Sequence, residues 1–160
     1  ASGLVVPGVG AFGSCMSGLL SKNGDQIIKE VLRSGKPIFG ICVGMQILFD
    51  KGVENGEHEG LGLLRGTVTR LEAKILPHMG WNTLRIEGEK DLFNGIEDQS
   101  FYFVHSYGVT ESNYSNQCWS NYENEFLAAV QYENIFATQF HPEKSGSAGL
   151  QLIQNWAKFL

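Results

Sequence analysis

The segment Phe39-Gly40-Ile41-Cys42-Val43-Gly44-Met45-Gln46 constrains the fold more than any other stretch of the chain. The apolar run Pro37 to Ile41 reads as a buried strand and Val43 to Phe49 as a helix, so Cys42 falls at a strand-to-helix junction. Glycines two residues to either side let neighbouring backbones approach where a Cβ would clash. A tight turn of this kind lifts the side chain at its apex clear of a sheet. That layout suits a cysteine nucleophile: the helix start favours the thiolate, and the amide of Val43 stands where an oxyanion would form. A buried structural cysteine between packing glycines is the competing reading. Cys15 and Cys118 lack any such setting and read as structural.

The flanking pattern says what kind of sheet carries this turn. Gly3 to Val6 reads as a short buried strand, ended by Pro7 and a loop containing Gly8, Gly10 and Gly13. From Asp25 to Ser34, Ile27, Ile28, Val31 and Leu32 share one helical face, and Gly35 supplies the stop before the strand at Pro37. Strand, helix and strand in succession predict parallel pairing. After the glycine-rich acidic loop Asp50 to Gly60 the periodicity shortens to two, at Val68 and Leu71, Trp81 to Ile86, Phe101 to Val104, Phe126 to Tyr132 and Ile135 to Phe140. The chain closes on a helix striped by Leu152, Ile153, Trp156, Ala157 and Leu160. The expected class is α/β, mostly parallel sheet flanked by helices with an antiparallel extension, in a single domain over 1–160.

A base for the thiol follows the strand Ile135 to Phe140, in His141-Pro142-Glu143. Proline pushes the preceding residue toward extended geometry, where residues i and i+2 project to the same side. Glu143 can then hold one imidazole nitrogen of His141 and leave the other free to take the thiol proton. Gln46 lies four residues after Cys42, on the same face of a helix; it reads either as a pocket group or as a surface position.

Composition narrows the class of function. At 160 residues, 42% hydrophobic and 18% charged, the chain can bury roughly 70% of its unfolded surface without disulfide or metal staples. The net charge of −5, with no Lys/Arg cluster, argues against nucleic acid. The three cysteines are spaced unlike a disulfide framework or a zinc site, so no metal is expected and the compartment is a reducing one. No apolar run has the length of a membrane span and no secretory leader is visible, so the expectation is a cytoplasmic protein with no membrane partner.

Gly40-Ile41-Cys42-Val43-Gly44-Met45-Gln46 with the downstream His141-Pro142-Glu143 resembles the class I, triad-type glutamine amidotransferases. Val6-Pro7-Gly8-Val9-Gly10-Ala11-Phe12, Pro77-His78-Met79-Gly80-Trp81-Asn82, and Phe103-Val104-His105-Ser106-Tyr107 with Phe136-Ala137-Thr138-Gln139-Phe140-His141-Pro142-Glu143-Lys144-Ser145-Gly146 narrow the resemblance to the glutaminase subunits of imidazole glycerol phosphate synthase, in histidine biosynthesis. Val43 departs from the usual leucine, and Gly108 from a second tyrosine. The resemblance implies a flavodoxin-like sheet, L-glutamine as substrate, no metal or organic cofactor, and a barrel-shaped cyclase subunit that receives the ammonia. It also implies that Cys42, His141 and Glu143 are catalytic, that Val9, Gly10 and Val43 border an oxyanion hole, and that Gln46, His105, Ser106 and Tyr107 bind substrate. His78, Trp81 and Asn82 are either structural or face the partner. The family pattern opens with two strands that precede Ala1, so the sheet is expected to lack them and to leave Leu4 to Val6 at an edge. The competing functions are another glutaminase of the same class, a γ-glutamyl hydrolase, or a silent interaction module.

Overall fold

A computed structural model describes all residues, Ala1–Leu160. Strand β1 (Leu4–Val6) leads through the glycine loop into helices α1 (Phe12–Ser21) and α2 (Gly24–Arg33), then into β2 (Ile38–Ile41) and the short α3 (Val43–Gln46). β1 and β2 run parallel, Val6 opposite Gly40, so the loop after β1 and the turn after β2 emerge side by side. β1 pairs on one side only, at the sheet edge expected for it.

Next come β3 (Lys51–Gly52), β4 (His58–Glu59), β5 (Thr67–Arg70), β6 (His78–Asn82), β7 (Arg85–Glu87), β8 (Phe101–His105) and β9 (Tyr107–Val109). The long hairpin β10 (Asn116–Tyr122) and β11 (Asn124–Tyr132) leads to β12 (Ile135–Thr138) and the closing helix α4 (Gly146–Ala157). The main sheet has the order β1-β2-β12-β11-β10-β7. Its β1, β2 and β12 are parallel and the remainder antiparallel, the mixed α/β sheet expected. A four-stranded sheet β4-β3-β5-β9 and the pair β6-β8 complete the architecture. β2 and β12 are buried along their whole lengths, which is why both read as continuous apolar runs. No helix is long and apolar enough to cross a membrane.

Several elements differ from the sequence expectation: the short strands β3 and β4 fall in the segment read as a loop, β9 was not expected, and four larger differences have a physical cause. The helix after Cys42 stops at Gln46, because Leu61, Gly62 and Leu63 donate to the carbonyls of Ile47, Phe49 and Leu48 and draw that backbone into the next loop. Helix α1 replaces the expected loop around Gly13. Its two glycines and three serines hide the helical signal, and only Phe12 and Met16 are fully buried. The run Trp81 to Ile86 breaks into β6 and β7 where Asn82 Oδ1 accepts the Thr83 N–H. β10 went unrecognised because its buried face includes Gln117 and Ser120, whose polar groups are bonded to Glu87 and to the Thr83 carbonyl.

Candidate active site

Cys42 sits at φ 57°, ψ −113°, a strained conformation for a residue with a Cβ. The glycines around it are required by contact: a Cβ on Gly44 would run into the Val6 carbonyl, and one on Gly40 would lie 2.7 Å from the Gly44 oxygen. The Cys42 amide donates to Thr138 O at 2.8 Å, which ties the elbow to the end of β12. Cys42 and His141 therefore stand at the carboxyl ends of adjacent parallel strands, the usual location of a site in such a sheet.

His141 continues from β12 with φ −100° and ψ 99°, the extended geometry expected before proline. Pro142–Lys144 then forms a 3-10 turn, so Glu143 reaches the imidazole around a turn and not along an extended chain as the sequence suggested. The His141 Nδ1 to Glu143 Oε1 distance is 3.1 Å. A carboxylate only accepts, so Nδ1 carries the proton and Nε2 is left as a base. The histidine backbone is held from both sides: its N–H donates to Tyr102 O at 2.9 Å, and its carbonyl accepts from Ser145 Oγ at 2.6 Å. Ser145 Oγ in turn accepts the Tyr102 N–H, a positioning role the sequence did not signal.

A cleft of about 300 Å³ brings together Cys42, His141, Val9, Gly10, Val43, Gln46, His105, Ser106 and Tyr107. These are all the expected catalytic, oxyanion and substrate residues except Glu143, which stands behind His141. The cleft adds Glu54, Pro77, Val104 and Lys144. Glu54 sits in the acidic loop; one of its carboxylate oxygens accepts the Phe12 N–H at 3.2 Å. Nothing in the scattered carboxylates of that loop marked it out.

Gln46 is buried, which removes the surface reading. Its Nε2 donates to Tyr107 O at 3.0 Å and to Gln139 Oε1 at 3.1 Å, leaving its Oε1 to accept from a ligand. Gln139 Nε2 lies 3.7 Å from Cys42 Sγ. This second glutamine stands in an apolar strand signal, and the sequence assigns it no role of its own.

Two expectations need correction. Burial pushes the Cys42 thiol up to about 11, outweighing the hydrogen bond from the Val43 amide; Glu143 pushes the same way. The helix start was expected to favour the thiolate, but α3 is one turn of four residues and its dipole is correspondingly small. The second concerns His78, where the partner-facing reading falls and the structural one holds: it points inward, 4% exposed, and bonds His105. Alternation along β6 instead turns Met79 and Trp81 outward, 62% and 58% exposed. The Asn82 side chain is tied to Asn121 O at 2.8 Å.

Residues 2–158 match the family model described as glutamine amidotransferase class-I. The chain is 51% identical to imidazole glycerol phosphate synthase subunit HisH of Corynebacterium glutamicum, covering 100% of this chain and 81% of that protein. The corresponding subunit of Thermobifida fusca is 52% identical, with the same coverage. Among solved structures, one titled as a glutamine amidotransferase superposes with a TM-score of 0.71 at 17% identity, over 98% of this chain and 79% of that one. PurLQS from Thermotoga maritima gives 0.70 at 20% identity, over 99% and 79%. At such identities the two structures speak for the fold alone.

Proposed function

Because the chain belongs to the class I glutamine amidotransferases, we propose that it hydrolyses L-glutamine to glutamate and ammonia through a thioester on Cys42. The observation that carries this reading is the convergence of Cys42, the Glu143-paired His141 and the Val9–Gly10 loop on one cleft. His141 Nε2 takes the thiol proton as sulfur attacks the carboxamide carbon, because the free thiol is protonated near neutral pH. The tetrahedral oxyanion is bordered by the amides of Val43 and of the Val9–Gly10 segment. As it collapses, the proton held by His141 passes to the leaving nitrogen and ammonia departs. Water, deprotonated by His141, then cleaves the thioester to glutamate and restores the thiol.

The Gln46 Oε1 can accept from the substrate, and Glu54 is the cleft carboxylate suited to its α-ammonium group. His105, Ser106 and Tyr107 line the same cleft, the Tyr107 carbonyl bonded to Gln46. Ammonia is handed to a cyclase subunit that makes imidazole glycerol phosphate, the pathway step named for the relatives. Trp81 and Met79, outward on β6 beside cleft residue Pro77, are the side chains placed to meet that subunit. Three free thiols suit a reducing, cytoplasmic setting.

Glutamate release, measured with and without the cyclase subunit carrying its own ligand, tests the proposal. We expect slow release alone and roughly a thousandfold rise with the partner, about 4 kcal/mol of transition-state stabilisation and within reach of one oxyanion donor. Equal rates would make the chain a stand-alone hydrolase, and no release in either condition would remove the reading.

A further inference from the structure

We propose that His78 and His105 are positioning residues for the cleft: a tautomer-locked pair that holds the Tyr107 carbonyl, and through it Gln46, in a single orientation. The proposal rests on the reading of the cleft as a glutamine site. The lock follows from two backbone anchors at opposite ends of a hydrogen-bonded chain. At one end Asn82 cannot flip, since its Oδ1 accepts the Thr83 N–H at 2.8 Å and its Nδ2 donates to Asn121 O at 2.8 Å. That Nδ2 also faces His78 Nε2 at 3.5 Å. At the other end His105 Nδ1 lies 2.9 Å from Tyr107 O, a carbonyl that can only accept.

Between these ends the protons have one consistent arrangement. Burial lowers His105 to about 3 and His78 to about 4, so both rings are neutral near pH 7 and each carries one N–H. His105 must place its proton on Nδ1, which makes its Nε2 an acceptor. His78 Nδ1, 3.0 Å away, must then donate, and the His78 Nε2 lone pair is left facing the Asn82 amide. Both rings are therefore Nδ1–H tautomers, the less populated form of free histidine. Tyr107 O, fixed by His105, receives one Gln46 N–H, and Gln139 Oε1 receives the other. Gln46 is thereby compelled to present oxygen to the cleft.

Packing alone does not call for histidine at either position. His78 stacks between Phe103 and Tyr122, with ring centroids at 5.1 and 4.3 Å, and His105 lies edge-on to Phe126 at 4.7 Å. Phenylalanine would fill both places without the cost of burying a polar ring. What phenylalanine cannot supply is the directed pair of hydrogen bonds.

The test uses the intact chain with selectively ¹⁵N-labelled histidine, and glutamate release in complex with its cyclase partner. Long-range proton–nitrogen correlation spectra should show the Nδ1–H pattern for both His78 and His105. His105→Phe should raise KM for glutamine roughly tenfold to a hundredfold, the cost of the Tyr107 carbonyl losing one of its two donors and with it the orientation of Gln46, while kcat falls less. His105→Asn, whose amide can replace the Nδ1 donor, should recover most of that loss. The double variant with His78→Phe should be no worse than His105→Phe alone, because the two act in one chain. An Nε2–H tautomer or an imidazolium at either position near pH 7 would overturn the proposal, as would a parental KM in His105→Phe. A parent chain that releases no glutamate in the complex would instead remove the functional reading, and the tautomers would still decide whether the pair is locked.

Discussion

The two walls of the cleft are built to different standards. On the inner wall Cys42, Gln46, His105 and His141 are buried, as is Gln139, which bonds Gln46, and each side chain is engaged by another protein group. On the outer wall Val9 is 79% exposed, and Gly10 sits at φ 93° with open space around it. The Val9 carbonyl is held by the Cys15 thiol at 3.4 Å, a weak donor. The groups proposed for proton transfer and amide recognition, and the Val43 amide, thus have a preorganised frame, while the second proposed oxyanion donor belongs to a loop with few restraints. A subunit that makes ammonia for another active site gains from this inequality, because the rate can wait on whatever settles the loop.

Removing groups from the inner wall should give the largest effects. Cys42→Ala should lower glutamate release in the complex by roughly 10⁴-fold or more, and His141→Ala by about 10³-fold, since the thioester needs both. Glu143→Gln should cost about tenfold to a hundredfold, because the half-exposed Glu143 orients the base and takes no proton itself. Parental turnover in Glu143→Gln would reduce that residue to a surface carboxylate. The glycines sharpen the comparison through stability: Gly44→Ala, forced against the Val6 carbonyl, should destabilise by more than about 3 kcal/mol in denaturant melts. Gly10→Ala, with free space and only its positive φ to oppose it, should cost about 1 kcal/mol. Equal losses would mean that the outer loop is as tightly packed as the elbow.

The smallest effect concerns protonation. A thiol raised to about 11 has less thiolate near neutrality than an ordinary cysteine, so alkylation of Cys42 by iodoacetamide in the free chain should be slow and rise with pH well beyond 9. A titration midpoint below 8 would mean that the helix start, and not burial, governs the thiol.

The parts of this site legible in the sequence are those built by local backbone rules. The glycine-flanked elbow, the histidine before proline and the two buried strands that carry them announce themselves within ten residues. Family resemblance extended that reading to Val9, Gly10, His105, Ser106 and Tyr107, all of which line the cleft. What escaped depends on partners distant in the chain. Gln139 shares its strand with apolar residues and acquires its meaning from Gln46, 93 positions away. Ser145 matters through Tyr102, and Glu54 through the cleft it happens to border. The thiol's protonation departs from the sequence expectation for the same reason: a helix start can be read from the chain, but the burial that opposes it is a property of the assembled core.

The central claim is that Cys42 is the glutaminase nucleophile, and covalent labelling tests it most directly. The chain, in complex with its cyclase partner, is treated with a diazo-oxo-norleucine, a glutamine mimic that alkylates the attacking group, and its tryptic peptides are mapped by mass. The account predicts one label, on Cys42, suppressed by excess glutamine and absent in His141→Ala. Label on Cys15 or Cys118 with Cys42 unmodified, or labelling of Cys42 indifferent to glutamine, would contradict it.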